Sequence, residues 1–440
     1  MSPLDRVLIA GTGPAAIQLA VLLKRWRGSR VGIAGRSSVR SEPFFTALRH
    51  NGSLLTAEES KPQLAPFAGE CRLDACYHGF ASVEGEWDTL LLAVTADAYL
   101  PVLSQLKPEV VRNLQCVALL SPTFGSNALV RQYLEEQGAS AETISFSTYL
   151  GDTRLAAGND PTRVRTAAIK RKVYAGSSRT SSGGARDGLA AFRELYAQTG
   201  LALEASLSAL EAETRNISLY VHPPLFMNEI ALEAVFGPPA APRYVYKLFP
   251  EGPITQTLIR EMLAQWREIS LLAGPLGVRA LNLLQFMVDD NYPLRPESLA
   301  RDDIDRFMTL EPIHQQYLLF VRYASLLIDP YSEPDSDGRY FDFSAVPIRR
   351  VFVNHEGEWD IPRMPKEDYY RLKIIQGIAR RADSPCPTID MFVRRYEQYL
   401  LERRPYMDEH PRSVAFEPQS FEEEIGRIVI GLSLQHTDQT

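Results

Sequence analysis

The stretch VLIAGTGPAAI at residues 7–17 places an apolar strand directly before the pattern Gly-x-Gly-x-x-Ala, and an amphipathic helix follows. This arrangement indicates a dinucleotide-binding turn. Gly11 allows the tight turn from strand to helix, Gly13 lets backbone amides approach a pyrophosphate, and Ala16 lets the helix pack on the sheet. The start of the helix then faces the phosphates with its dipole and free N–H groups. We expect the cofactor contacts of this turn at Gly11, Thr12, Gly13, Pro14 and Ala15.

The segment that contacts the ribose in such a fold lies about 20 residues after the turn. Here it is RVGIAGRSS at residues 30–38, which contains no carboxylate. An acidic side chain would hydrogen-bond the ribose 2′-hydroxyl of NAD or of the adenosine of FAD, whereas an arginine suits a 2′-phosphate. Arg36, with Ser37 and Arg40 beside it, therefore predicts NADPH as the cofactor. The alternative is that Arg36 is a solvated loop arginine.

Length and composition narrow the class of protein. The chain has 440 residues, more than one hydrophobic core usually serves, so we expect two domains. Its 45% hydrophobic and 23% charged residues are typical of a globular protein. The formal net charge of -7 provides no basic field for nucleic acid or an anionic membrane. We therefore expect small-molecule substrates as partners, neither nucleic acid nor a membrane, and local arginines for anionic groups.

The chain contains four cysteines, at Cys71, Cys76, Cys116 and Cys386. They are too few and too scattered for a disulfide framework, and Cys71, Cys76 and His78 lack the paired spacing of a zinc site. We expect no metal site. The N-terminus has no charged leader before an apolar core, and no stretch reaches the ~20 apolar residues of a membrane-spanning helix. We therefore expect a cytoplasmic protein.

Short apolar runs alternate with helical stretches in the first third of the chain, at residues 87–94, 117–120 and 143–150. This alternation predicts a doubly wound parallel sheet whose strands are covered on both faces. Ligands bind at the carboxyl ends of such strands. Each polar residue there could equally be a helix cap or a turn residue. The resulting site candidates are Thr95, Asp97, Ser121, Thr123 and residues 148–152.

The pattern changes after residue 154. Residues 166–174 mix β-branched, aromatic and basic side chains, as a half-exposed strand does, so we expect an antiparallel extension of the first domain. We predict an α/β Rossmann-type domain with this extension over residues 1–205, and a mostly α-helical substrate domain over residues 206–440. Apolar spacings of three and four predict its helices at Leu258–Leu272, Arg301–Leu310, Gln315–Leu327, Glu367–Arg381 and Ile389–Arg403.

One of the seven histidines lies in an unusual segment, ETRNISLYVHPPLFMN at residues 213–228. His222 precedes two prolines that restrict its backbone. An imidazole near a nicotinamide site is a natural general acid or base, since its unperturbed pKa is close to operating pH. The alternative is a histidine that only bonds within an interdomain helix.

Six longer stretches of the chain form a distinctive set: SPTFGS (121–126), FSTYLGDTR (146–154), YVHPPLFMN (220–228), YVYKLFPEGPIT (244–255), NLLQFM (282–287) and FDFSAVP (341–347). Together they resemble the opine-metallophore dehydrogenases. The resemblance covers most of the chain and weakens at residues 40–85, 155–205 and the C-terminal tail. It implies an NADPH-dependent enzyme that condenses a histidine-derived aminobutyrate with a 2-oxo acid through an imine, and it suggests a homodimer. The enzyme itself would need no metal, although its opine product would bind one.

The resemblance assigns a catalytic pair to Asp152, in Gly-Asp-Thr-Arg, and to His222, in Val-His-Pro-Pro. We expect His222 to act as acid and base, and Asp152 as its partner or as the residue that activates the amine. The alternative for Asp152 is a turn residue paired with Arg154. Candidate substrate contacts lie in or near the matched stretches, at Arg215, Asn216, Asn228, Tyr246, Lys247 and Arg322.

Other functions share parts of this pattern. A 2-oxo acid reductase of the ketopantoate type would have a similar Rossmann half and helical domain but would need no amine. A nonenzymatic NADPH-sensing protein would need the glycine pattern without Asp152, His222 and Lys247. A flavin hydroxylase would place an acid where Arg36 stands. The sequence leaves open pyruvate or 2-oxoglutarate, a D- or L-histidine moiety, strict selection of NADPH over NADH, the oligomeric state and the metal.

Overall fold

The structure is a computed structural model that describes residues 2–158, 160–179, 187–238, 240–291, 294–325, 336–338, 344–403 and 410–434. The chain forms two compact units. The first contains the residues up to Asn216 and most of the last helix, and the second begins at Ile217.

The first unit is built from strands and helices that alternate along most of its length. Its strands are β1 (Arg6–Ala10), β2 (Arg30–Gly35), β3 (Leu54–Glu59), β4 (Gly69–Arg72), β5 (Ala75–His78), β6 (Thr89–Leu92), β7 (Cys116–Leu119), β8 (Glu142–Phe146), β9 (Gly151–Leu155), β10 (Arg163–Ile169), β11 (Lys172–Ser177) and β12 (Ala202–Ala205). Its helices are α1 (Pro14–Arg27), α2 (Glu42–Asn51), α3 (Tyr99–Gln105), α4 (Pro108–Asn113), α5 (Ser126–Glu136), α6 (Gly188–Ala197) and α7 (Ala209–Thr214).

The main sheet of this unit has the strand order β12-β11-β8-β7-β6-β1-β2-β5. β1 pairs in parallel with β2 on one side and with β6 on the other, so that Val7 lies opposite both Val31 and Thr89. β7 and β8 continue the parallel arrangement, and β6, β7 and β8 are buried along their whole length. The predicted doubly wound parallel sheet is confirmed, with its switch point at β1.

A second sheet, of order β4-β3-β10-β9, packs against α1. α1 therefore has strands of both sheets as neighbours, and its residues from Ala16 to Leu23 are all buried. The antiparallel pairing expected after residue 154 is present between β9 and β10, and β11 is antiparallel to β8. The prediction of a single strand at residues 166–174 is wrong, because the chain passes from the second sheet to the main sheet between Ile169 and Lys172.

The division between the units falls at a different residue from the one that we expected. The predicted boundary lies between residues 205 and 206, whereas the first unit extends to Asn216. α7 accounts for the difference, because it packs against β8 and β11 of the main sheet. The last helix also returns to this unit, where Arg427 pairs with Glu136 of α5 at 3.0 Å.

The second unit is mostly helical, and its one small sheet among the described residues pairs β13 (Phe352–Val353) with β14 (Trp359–Asp360). α8 packs against α10 and α14, and α15 packs against the same two helices. The five helices expected from the periodicity are present as α10, α12, α13, α14 and α15, and residues 326–327 lie outside the described residues. The helices are α8 (Ser218–Phe226), α9 (Glu229–Phe236), α10 (Gln256–Ala273), α11 (Leu283–Gln285), α12 (Arg301–Arg306), α13 (Pro312–Ala324), α14 (Arg363–Arg381) and α15 (Pro387–Arg403), and the last helix of the chain is α16 (Glu422–Gly431).

A helix that crosses a lipid bilayer must be both long and apolar. Within the described ranges, no helix combines the two properties to the extent that a membrane span requires.

Candidate active site

The glycine-rich turn joins β1 to α1 in the first unit. Gly11 has φ = +129°, and a Cβ atom there would lie 2.6 Å from the carbonyl oxygen of Ala93, which follows β6. Any other residue would therefore meet both backbone strain and a clash. At Gly13, a Cβ atom would have no neighbouring atom within 4 Å, so the backbone is open to approach on that side.

The first turn of α1 follows directly, with Pro14 at its start. No side chain caps this helix, and no acidic residue lies in its first turn. Pro14 has no N–H group, and the amides of Ala16 and Ile17 donate to the carbonyl oxygen of Gly13, so the amide of Ala15 and the helix dipole are what this first turn presents to an anion. The turn from Gly11 to Ala15 has the geometry and the charge that suit a pyrophosphate.

The arginines predicted to bind a 2′-phosphate lie directly after β2. The last residue of that strand, Gly35, is so close to the turn that a Cβ atom would lie 2.4 Å from Cγ2 of Thr12. Arg36, Ser37 and Arg40 are exposed, and in the described part of the chain neither guanidinium forms an ion pair. Arg36, directly after a residue that lies against the turn, fits a 2′-phosphate, and Arg40 adds a second exposed cation to the same loop.

His78 adds an aromatic group at the same edge, and from the sequence it was considered only as a metal ligand. As the last residue of β5 it pairs in register with Gly35. Its ring stacks on Phe45 of α2 with centroids 4.5 Å apart, and its Nδ1 lies 3.5 Å from Oε2 of Glu42. The described residues contain no group of three or more His, Cys, Asp or Glu that could hold a metal ion.

The other cofactor candidates follow β6 and β7, whose carboxyl ends meet at one edge of the sheet. Thr95 is half-buried and Asp97 is exposed, both in the short turn before α3. Ser121 is half-buried, while Thr123 is buried with no hydrogen-bond partner for its hydroxyl oxygen among the described residues. Asn216, predicted as a substrate contact, reaches this edge through a 3.4 Å bond from Nδ2 to the carbonyl oxygen of Pro122.

Asp152 lies in β9 of the second sheet rather than in a loop. Its carboxylate accepts two hydrogen bonds from Arg154, at 2.9 and 2.7 Å, which is the pairing considered as the alternative to a catalytic role. Arg215, a further candidate, is held over the ring of Tyr174 at 4.4 Å and lies 3.5 Å from Glu211. Both charged groups therefore have protein partners within the first unit.

His222 lies in α8 of the second unit, where a carboxylate from α14 faces it. The Nδ1 atom of His222 is 3.7 Å from Oδ1 of Asp368. The histidine side chain is 20% exposed, whereas that of Asp368 is 0% exposed. The imidazole also contacts the edge of Phe226, one helical turn along, with centroids 5.5 Å apart. Sequence reasoning missed Asp368, and no local motif marks it.

Asp368 belongs to a buried charged cluster on α14. Arg371 donates a hydrogen bond to Asp368 at 2.8 Å and another to Glu367, which also accepts from Arg363. Burial raises the pKa of Asp368 to about 7, and Arg371 acts in the opposite direction. Burial also opposes ionisation of Glu367, but Arg371 and Arg363 outweigh it and lower the pKa of that carboxyl. The cluster provides a titratable carboxyl directly behind the imidazole.

The remaining substrate candidates lie in the second unit. Asn228 caps α9 by accepting from the amide of Ala231 at 2.9 Å, and it donates to two carbonyl groups of α8, which gives it a structural role. Lys247 pairs with Glu251 at 2.9 Å, beside the half-buried Tyr246. Arg322 is buried in α13, against the ring of Tyr323 at 4.8 Å. In the matched stretch FDFSAVP, residues 341–343 lie outside the described residues.

Comparison with known proteins gives consistent matches across the chain. The family model described as staphylopine dehydrogenase matches residues 5–431. A staphylopine synthase of Staphylococcus aureus (strain Mu50) is 41% identical over 99% of this chain and 100% of its own length. A pseudopaline synthase of Pseudomonas aeruginosa (strain UCBPP-PA14) is 39% identical over 90% of this chain and 89% of its own. A solved yersinopine dehydrogenase with NADP+ bound has a TM-score of 0.90 at 31% identity and covers 98% of this chain and 99% of its own.

Proposed function

The chain belongs to the staphylopine dehydrogenase family, and from this premise we propose that it joins a histidine-derived aminobutyrate to pyruvate or 2-oxoglutarate by reduction with NADPH. The enzyme class predicted from the sequence, an NADP-dependent opine dehydrogenase, is confirmed by this membership. The two substrates are the proposed part. The similarity to a staphylopine synthase and a pseudopaline synthase supports them.

One observation carries the proposed chemistry: a partly exposed imidazole is backed by a fully buried carboxyl. Nδ1 of His222 lies 3.7 Å from Oδ1 of Asp368, the same oxygen that accepts a hydrogen bond from Arg371. A charged carboxylate in that position favours the imidazolium and orients the ring. With Nδ1 directed at Asp368, we assign proton exchange with the substrate to Nε2.

The reaction requires such a proton carrier. The amine nitrogen adds to the carbonyl carbon of the oxo acid, and the carbinolamine loses water when His222 protonates its hydroxyl group. The imine nitrogen must also be protonated before the carbon is reduced. NADPH supplies the hydride when it is bound. The balance is one amine, one oxo acid, one hydride and one proton converted to one secondary amine and one water.

The first unit offers the groups that would hold the cofactor. The uncapped start of α1 would take the pyrophosphate, and Arg36, with Ser37 and Arg40, would take the 2′-phosphate. The polar residues after β6 and β7 would line the nicotinamide half. For the substrate, Arg322, Lys247, Tyr246 and Arg215 remain candidates for the carboxylates, and Asp152 for the amine.

The proposal is tested by following the absorbance of NADPH with the purified protein, the histidine-derived aminobutyrate and either oxo acid. Each oxo acid is also tested without the amine. Oxidation that requires both substrates supports the proposal and identifies the oxo acid. Oxidation with an oxo acid alone would instead make the protein a keto acid reductase, the alternative function considered from the sequence.

We expect Arg36→Ala to shift the cofactor preference. Loss of a charge-assisted bond to the 2′-phosphate should raise the Kd for NADPH about 10- to 100-fold and leave that for NADH nearly unchanged. Titration of the intrinsic cofactor fluorescence measures both constants. Arg112→Ala, which removes an exposed arginine of α4, is the matched control. Equal weakening of both cofactors by Arg36→Ala would argue against a 2′-phosphate contact.

We also expect kcat to depend on the charge of Asp368. Its pKa is raised to about 7, so the carboxyl is neutral below that pH and charged above it. The charged groups that face it are Arg371, Arg363, Glu367 and His222. Because only the charged form stabilises an imidazolium, kcat should fall as the pH is lowered through about 7.

The variant Asp368→Asn separates this effect from other ionisations. It should lower kcat at least about tenfold above neutral pH and remove the acidic fall. The measurement is kcat against pH at saturating substrates for both proteins. A variant that keeps the profile of the unchanged enzyme would assign the fall to another group.

A further inference from the structure

Glu213 is a buried carboxyl group in the first unit that the proposed chemistry does not use. It lies near the end of α7 and is 1% exposed. Its Oε2 accepts a hydrogen bond from the amide of Gly125 at 2.8 Å, and its Oε1 accepts from the amide of Asn127 at 2.6 Å and from the hydroxyl of Ser145 at 2.8 Å. All of these partners donate, so both carboxyl oxygens are needed as acceptors.

These bonds satisfy buried backbone amides at the start of α5. That helix begins after Gly125, which has φ = +82° and has no side chain that could cap the helix. The free amides of the first turn need acceptors when they are buried. Glu213 supplies these acceptors, although it lies 88 residues from Gly125 and 86 residues from Asn127 along the chain. Burial raises the pKa of Glu213, and the bonds from Ser145 and from the α5 amides oppose that rise.

The bond from the amide of Gly125 holds the end of the loop from Ser121 to Gly125, which lies at the carboxyl end of β7. A second bond reaches the same loop, from Asn216 to the carbonyl oxygen of Pro122 at 3.4 Å. The amide of Thr123 donates to Oγ of Ser126, the first residue of α5, at 2.9 Å, and the amide of Ser126 donates back to the carbonyl oxygen of Thr123 at 3.1 Å. The loop is therefore held both by its local bonds to Ser126 and by residues of α7 and the segment just after it.

We propose that Glu213 is a positioning residue for the cofactor. By accepting hydrogen bonds from the amides of Gly125 and Asn127, it holds the Ser121–Gly125 loop in the conformation that receives the nicotinamide half of NADPH. The inference rests on the proposed function in one respect, that NADPH binds at the carboxyl edge of β6 and β7. Glu213 itself touches neither cofactor nor substrate in this role. Its effect reaches the cofactor through the loop.

The test is the variant Glu213→Gln. The amide keeps the size of the carboxyl but places an NH2 group opposite a donor, so the loop must shift. We expect the Kd for NADPH, measured by fluorescence titration, to rise at least about tenfold. The KM for NADPH should rise in parallel, while kcat at saturating NADPH and the KM for the amine stay within about threefold.

The chain offers a matched control in Glu142. This glutamate is also buried, and its two oxygens accept from Ser177 at 2.7 Å and from the amide of Gly188, at the start of α6, at 2.8 Å. It is the first residue of β8, at the amino end of the strand, so it serves a helix start away from the cofactor edge. Glu142→Gln should lower the melting temperature with the Kd for NADPH unchanged.

The outcomes distinguish failure of the positioning role of Glu213 from failure of the proposed function. An unchanged Kd in Glu213→Gln, or an equal rise in Glu142→Gln, would overturn the positioning role. If Glu213→Gln does not fold, Ser145→Ala removes a single donor to the carboxyl, and a Kd raised about threefold is then expected, with an unchanged Kd overturning the proposal. Failure of the unchanged protein to bind NADPH would refute the proposed function, and the positioning role with it.

Discussion

Replacing His222 with alanine is expected to lower kcat about 10²- to 10⁴-fold, the range that a positioned general acid or base contributes. The physical reason is that both the loss of water from the carbinolamine and the reduction of the imine need a proton at the reacting centre. His222 is partly exposed and is backed by Asp368, so it can hold and release that proton. The measurement is kcat from NADPH oxidation at saturating substrates. The Kd for NADPH should not change, because the predicted cofactor contacts lie in the other unit.

The matched control is His314→Ala. His314 is a histidine on α13 of the same unit whose side chain is 41% exposed, and its Nε2 lies 3.9 Å from Oδ1 of Asp303. Its removal should leave kcat within about twofold, as surface substitutions usually have small effects. A His222→Ala enzyme with nearly full kcat would remove the histidine from the proposed chemistry.

Replacing Arg371 with methionine is expected to lower the free energy of unfolding of the second unit by about 3–5 kcal/mol. Arg371 is 6% exposed and bonds both Asp368 and Glu367, which are 0% and 5% exposed. Methionine keeps an unbranched side chain there but leaves two buried carboxyl groups without their shared cation. Glu367 keeps its bond from Arg363, but Asp368 loses its bonded cation, and breaking a buried pair costs more than the pair contributes in net stability. The measurement is chemical denaturation with the transition of the second unit followed separately.

The comparison is with Arg306→Met. Arg306 pairs with Asp302 at 3.2 Å, and the two side chains are 64% and 75% exposed. An exposed pair of this kind contributes about 0–1 kcal/mol, so its removal should have little effect. If Arg371→Met lowered the free energy of unfolding no more than this control, the charged cluster would not contribute substantially to the stability of the structure around His222.

Local sequence was sufficient to predict the dinucleotide turn. Gly11 can adopt its positive φ and lie close to the chain after β6 because it has no side chain. Arg36 owes its position to β2, the strand that it directly follows. The same applies to the helices of the second unit, where apolar spacing sets the buried face. These features depend largely on residues close together in the chain, so a pattern of a few residues identifies them.

Other features could not be predicted in this way. The break between Ile169 and Lys172 arises because neighbouring strands join different sheets, although nothing in the local pattern interrupts the strand. The proposed partner of His222 was Asp152, whose carboxylate is bonded to Arg154, while Asp368 faces the imidazole. The role of Asp152 stays a prediction.

Residue types at short spacing were enough to predict the Rossmann-type turn and NADPH as the cofactor, and the resemblance to the opine-metallophore dehydrogenases added the histidine that we propose as proton carrier. Which carboxyl groups act on these elements depends on how distant helices pack together. Asp368 reaches His222 because α14 packs on α8, and Glu213 reaches α5 because α7 packs on the main sheet. A buried carboxyl group is stable only where donors from distant segments converge, and that convergence is a property of the folded chain.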